Sequence, residues 1–181
     1  MLVRLLGIFK FQRDDIIMSF WTLETKADIG ICGFSNSLPN LFKEISLGML
    51  NLLIPEEQAK ILHTFTRHTA QWNVEVNSST NDYESLILVW LEEVLYKLEV
   101  ENKFLVDAQC MIKELEGRLT CEVQVSWIDS DSVNRNLEIK AVTSHELMIT
   151  ELSDGESYRS DDDSIPELIG PAWVGNVIFD I

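Results

Sequence analysis

Residues 118–127, RLTCEVQVSW, alternate without a break. Leu119, Cys121, Val123, Val125 and Trp127 fall on one face, and Thr120, Glu122, Gln124 and Ser126 on the other. A period of two with one apolar side is the pattern of an antiparallel strand that buries one face and wets the other. Upstream, residues 104–113 read as a second strand, with Gly117 marking the turn between them. Downstream, Asp129-Ser-Asp131-Ser is a polar loop, 137–143 and 146–152 read as two strands, and 173–179 as the last. Strands therefore crowd the C-terminal half.

The N-terminal half adds helices. In residues 81–98, Leu86, Trp90, Val94 and Leu98 recur at helical spacing, and Ile87, Leu91 and Leu95 widen the apolar stripe. This helix starts near Asn81, with Glu84 placed to help cap it, after a turn at Asn77-Ser-Ser-Thr80. A second stripe runs through Leu38, Leu41, Phe42, Ile45, Met49, Leu52 and Leu53. Ser37 stands at its N-cap, Pro39 fits the first turn, and Pro55 follows its end. Residues 60–77 alternate loosely up to Trp72, Val74 and Val76 and read as one or two strands. Residues 19–34 read as two short strand pieces meeting near Asp28–Gly30. The expected fold class is α+β: a compact single domain with two helices packed on an antiparallel-rich sheet.

Composition sets the class. The chain has 181 residues, 46% apolar and 24% charged, which suits one globular domain. Residues 18–181 are expected to form it. Residues 1–17 (MLVRLLGIFKFQRDDII) mimic a signal sequence, but the apolar run is short, Lys10 interrupts it and no small-residue cleavage site follows. They read as an extension outside the fold, ahead of a second methionine, Met18. Residues 153–172 are rich in Ser, Asp and Gly and read as an acidic, flexible surface loop.

Thirty acids against 14 bases give a formal net charge of −16. Phosphate backbones are bound through clustered Lys and Arg, and no such cluster occurs, so no direct nucleic-acid binding is expected. A basic protein partner suits this charge. No apolar run reaches the length of a membrane span. Cys32, Cys110 and Cys121 match no zinc spacing, and an odd count of cysteines fits a reducing, cytoplasmic setting.

No phosphate-binding glycine loop, nucleophile elbow or zinc-protease motif occurs, and the chain is expected not to be an enzyme. His63 and His68 are five apart and, on a strand, point to opposite faces. Asp129, Asp131 and Glu138 resemble the start of a calcium loop, but Val133 and Asn134 stand where the loop needs an oxygen ligand and a glycine. More informative are two aspartates embedded in apolar sequence. Asp28 lies between Ala27 and Ile29, and Asp180 between Phe179 and Ile181. Burying either without a partner or a cation is costly. Brought together with the carboxylate of Ile181, they would form an all-oxygen site for calcium or magnesium. The other reading is two aspartates exposed at strand ends.

Four segments carry a family resemblance. They are Glu24-Thr-Lys-Ala-Asp28-Ile-Gly30-Ile31, Leu88-Val-Trp-Leu-Glu-Glu-Val-Leu-Tyr96, Ile139-Lys-Ala-Val-Thr-Ser-His-Glu-Leu147 and Val177-Ile-Phe-Asp-Ile181. In this order and spacing, over about 18–181, they resemble the archease family. Where archeases have His-Thr before the first motif the chain has Thr25-Lys26, and where the second helix has Asn it has Glu92. The resemblance implies a fold of two related β-α-β-β units. It also implies an accessory role for an RtcB-type RNA ligase, which joins RNA ends with GTP and a divalent metal in tRNA splicing and RNA repair. Archease-like proteins promote that ligase's guanylylation and multiple turnover. Carried over by position are Asp28, Asp180 and the Ile181 carboxylate for a divalent metal, and Lys140 and His145 for a partner or phosphate contact. Two further readings stand beside this one. The first is a small divalent-metal-binding protein or phosphate-acting enzyme using Asp28 and Asp180. The second is a chaperone-like binding module.

Overall fold

The alternating stretch becomes the middle strand of a three-stranded sheet. The computed structural model describes residues 19–24, 28–77 and 81–181. The expected extension at 1–17 and the turn at 78–80 lie outside the described residues. In chain order the elements are β1 (Ser19–Glu24), β2 (Ile29–Ser35), α1 (Leu38–Leu52), α2 (Glu56–Ile61), β3 (His68–Asn77) and α3 (Tyr83–Glu99). They continue with β4 (Lys103–Leu115), β5 (Arg118–Asp129), β6 (Ala141–Leu152), β7 (Ser157–Tyr158), β8 (Leu168–Ile169) and β9 (Ala172–Asp180). One sheet has the order β3-β5-β4 and the other β1-β2-β9-β6, and every pairing is antiparallel.

The two sheets repeat one plan. In β3-α3-β4-β5, the first strand pairs with the last, and the last with the one before it. In β2-α1-β6-β9 the same order, β2-β9-β6, recurs. The second unit's chain is inserted between α1 and β6 of the first. Each helix packs on the first strand of its own unit and on an outer strand of the other: α1 on β2 and β4, α3 on β3 and β6. The shared layer is mostly apolar, with Ile31, Leu41, Phe42, Ile45, Ile87, Trp90, Leu91, Val123 and Phe179 all excluded from solvent.

Two cross-strand glycines let α1 settle on bare backbone. Gly33 and Gly175 are register partners. A Cβ at Gly33 would lie 2.7 Å from Ile45 Cγ1, and one at Gly175 2.7 Å from Ile149 Cδ1. Both seats would be overpacked by any side chain.

Local signals held at most element ends and failed at a few. α3 is capped by Asp82, whose carboxylate accepts from Ser85 N at 3.0 Å. Glu84 does not cap; its carboxylate accepts from Ile149 N of β6 at 3.4 Å. Ser37 stands at the N-cap of α1 in extended backbone, but its side chain makes no capping bond. Residues 60–64 are helical, correcting the strand expected from residue 60. Pro55, then Glu56 and Glu57 in the first turn, favour α2, and a 3-10 turn at Leu62–Thr64 carries His63. The two strands expected at 137–143 and 146–152 are one strand, β6, with a bulge between Thr143 and Met148.

The expected loop at 153–172 is also corrected. It carries the β7–β8 hairpin, and Ile165, Leu168 and Tyr158 pack on Cys32, Phe34, Leu152, Ala172 and Val174. Few apolar residues suffice because they complete a face that the first sheet leaves open, while the acids stay outside. Under this cover the Cys32 thiol is pushed up to about 12, by burial first and by Asp162 second.

Glu44 is an exception within α1: a carboxyl at 8% exposure. Burial raises its pKa above the ordinary 4.5, opposed by Lys43 and assisted by Asp107. A carboxyl that binds its proton more tightly folded than unfolded loses stability as pH climbs above 4.5. Glu44→Gln is therefore expected to melt higher than wild type at pH 7. The gap should narrow toward pH 4.5, as read from paired thermal melts across that range.

Candidate functional site

Three strand ends converge at one corner of the first sheet. Ile29 pairs with Phe179, and one step further along the same register Asp28 stands level with Asp180. On the other side Ala141 pairs with Asp180. Directly opposed residues of antiparallel strands lie about 5 Å apart at Cα and point to the same face. The register thus sets Asp28 beside Asp180, although 152 positions separate them in the chain. Asp180 is exposed and Asp28 half-buried.

Lys140 ties the chain end to this corner. Its backbone N donates to Asp180 O at 2.8 Å, extending the β6–β9 ladder by one bond. Its Nζ donates to the main-chain oxygen of Ile181, also at 2.8 Å. Ile181 packs its side chain against the core. One ammonium and the carboxyl groups of Asp28, Asp180 and Ile181 are therefore gathered at one corner of the sheet. This combination can hold a hard cation or meet a phosphate.

The structure thus brings together Asp28, Asp180, Ile181 and Lys140. It does not bring His145 into register with them. His145 lies on the β6 bulge, largely exposed, with Nε2 3.4 Å from Glu146 Oε1. Glu146 was not singled out by sequence; the only signal was the break between two expected strands at 144–145. Among the described residues, no group of three or more His, Cys, Asp or Glu side chains is arranged to hold a metal ion. Elsewhere, His68 stacks on Trp127 with centroids 4.5 Å apart. Asp129 accepts from Asp131 N at 3.2 Å and so closes the polar loop read as a calcium-loop decoy. Cys121 is buried in the core, its thiol pushed up by contact with the Cys110 thiol and then by burial. Among the described residues no helix is long and apolar enough to cross a membrane.

Comparison with known proteins agrees over nearly the whole chain. Residues 20–181 match the profile of the Archease protein family. Protein archease of Methanosarcina acetivorans is 33% identical over 139 residues, covering 74% of this chain and 87% of the relative. Protein archease of Pyrococcus furiosus is 25% identical over 134 residues, covering 73% and 88%. The solution structure of Methanobacterium thermoautotrophicum protein 1598 superposes with a TM-score of 0.57 at 21% identity, covering 90% of this chain and 98% of that one. That likeness bears on the fold.

Proposed function

The chain belongs to the archease family, and on that premise we propose that it is an accessory protein of an RtcB-type RNA ligase. In this reading it promotes the ligase's guanylylation and its multiple turnover. The observation that carries the reading is the corner where Asp28, Asp180, Ile181 and Lys140 meet. Families keep a common fold for many ends; charged groups gathered from distant positions at one exposed strand end are less easily spared.

Asp28, Asp180 and the Ile181 carboxylate are the residues that would hold a divalent calcium or magnesium ion. They are hard oxygen donors, as such ions require, but too few to fill a coordination shell of six or more. Water, or phosphate oxygens at the ligase's own nucleotide site, would complete it. When bound, the ion supplies positive charge against phosphate. Lys140 orients the Ile181 carboxylate and places an ammonium at the same point. A chain with a formal net charge of −16 is suited to approach a basic protein surface and unsuited to approach bare RNA.

The deciding experiment is RNA ligation by an RtcB-type ligase with this protein added well below stoichiometry. Turnover beyond one cycle per ligase is the expected result, and Lys140→Met should reduce it at least tenfold. A ligase that still stops after one cycle would sink the reading.

A further inference from the structure

The duplicated units provide an internal comparison at the strand beside the site. In both, the strand that follows the helix in the unit, β4 or β6, breaks register at the same place. The break follows the Leu105–Trp127 pair in β4 and the Thr143–Ile178 pair in β6. In β4 the break inserts one residue, Val106, which packs against the core. The next residue, Asp107, is tied down by Lys43 Nζ at 2.6 Å and by Ala108 N at 3.0 Å. In β6, by contrast, residues 144–147 stand opposite Val177 alone.

The extra length of the β6 bulge gains little packing. Only Leu147 returns to the core, while Ser144, His145 and Glu146 are exposed. The side chains of His145 and Glu146 are 75% and 67% exposed. Glu146 also sits at φ 54, in the left-handed region that disfavours a side chain. The strain is held from both flanks, by the Thr143–Ile178 pair and by Ile149 N on Glu84. One residue is enough to bend a strand here, as β4 demonstrates. An enlarged, strained and solvent-facing bulge on the strand that leads to the corner is a feature to be explained by contact.

We infer that residues 144–146 are the element that docks this chain on its protein partner, with the Glu146 carboxylate receiving a basic side chain. The inference rests on the ligase reading above and adds where the partner is gripped. β6 is the outer strand of its sheet, so the bulge projects at a free edge, and the same strand leads back to Lys140 at the corner. His145 Nε2 lies 3.4 Å from the carboxylate. Charge complementarity favours a basic partner surface. A contact at the rim of an interface governs affinity, whereas the corner governs what happens after docking.

The test is a titration of this protein into multiple-turnover ligation, separating the half-maximal concentration from the plateau. Glu146→Lys should raise the half-maximal concentration about tenfold and leave the plateau unchanged. Glu146→Gly removes the carboxylate and relieves the left-handed strain. It should raise the half-maximal concentration while raising the melting temperature by about 2–4 °C, a pairing that structural damage cannot produce. If wild type promotes turnover and both variants keep its half-maximal concentration, the docking inference falls and the ligase reading stands. A lowered plateau at unchanged half-maximal concentration also overturns it, because Glu146 would then act after docking. If wild type promotes no turnover, the ligase reading fails and the docking inference fails with it.

Discussion

Asp180→Asn is expected to lower the multiple-turnover plateau about 100-fold while leaving the protein as stable as wild type. The two halves of this expectation have separate physical origins. Asp180 contributes its backbone to β9, pairing with Ala141 and accepting from Lys140 N at 2.8 Å, and asparagine keeps that backbone. Its side chain is exposed, so the amide loses little on folding, and a change beyond about 0.5 kcal/mol is not expected. The carboxylate, however, is one of the few anionic groups at the corner, and a neutral amide is a far weaker ligand for a hard cation. Asp28→Asn should lower the plateau in the same way. Urea unfolding measured beside the ligation assay checks both halves. A variant that keeps its plateau would remove the carboxylates from the mechanism, and one that unfolds early would make them structural.

Trp90→Ala is expected to cost about 3–5 kcal/mol of stability. Trp90 is fully excluded from solvent in α3. Its indole Nε1 donates to Ser46 Oγ of α1 at 2.7 Å, and Ser46 Oγ donates in turn to Phe42 O at 2.6 Å. The indole fills volume between the two helices and also satisfies a buried polar group in the opposite unit. Alanine removes both. Against a typical total of about 5–15 kcal/mol, this is a large fraction of the fold's stability. Ser46→Ala should cost less, about 1–3 kcal/mol, by leaving the indole N–H unpaired in the core. Chemical denaturation monitored by circular dichroism measures both. A loss under about 1 kcal/mol for Trp90→Ala would mean that α1 and α3 are held together by other contacts.

Legibility from sequence followed the range of the interaction involved. Period-two alternation identified β5, and 3.6-residue periodicity identified α1 and α3, because each depends on neighbours a few positions apart. The same local reasoning failed where tertiary contacts decided. The weakly alternating residues 60–64 became helical as the end of α2, which Pro55, Glu56 and Glu57 start, and the 3-10 turn after it. The acidic stretch at 153–172 took up the β7–β8 hairpin because an open apolar face was waiting for Ile165 and Leu168. Composition averages over a segment; packing needs only the right two or three side chains in it.

The candidate site divides in the same manner. Sequence alone could mark Asp28 and Asp180 as charges set in apolar strand, and could place Lys140 and Ile181 in shared motifs. It could not show that β2, β6 and β9 end at one corner, nor that Lys140 Nζ lies on the Ile181 oxygen. It could not show that His145 is carried away from that corner on an exposed bulge whose strained residue is Glu146. Patterns of apolar residues determined the elements by themselves, since burial repeats with the local period of the chain. The meeting of residues far apart in sequence was decided only by the tertiary structure, because it is fixed by strand order and register, which no local pattern encodes.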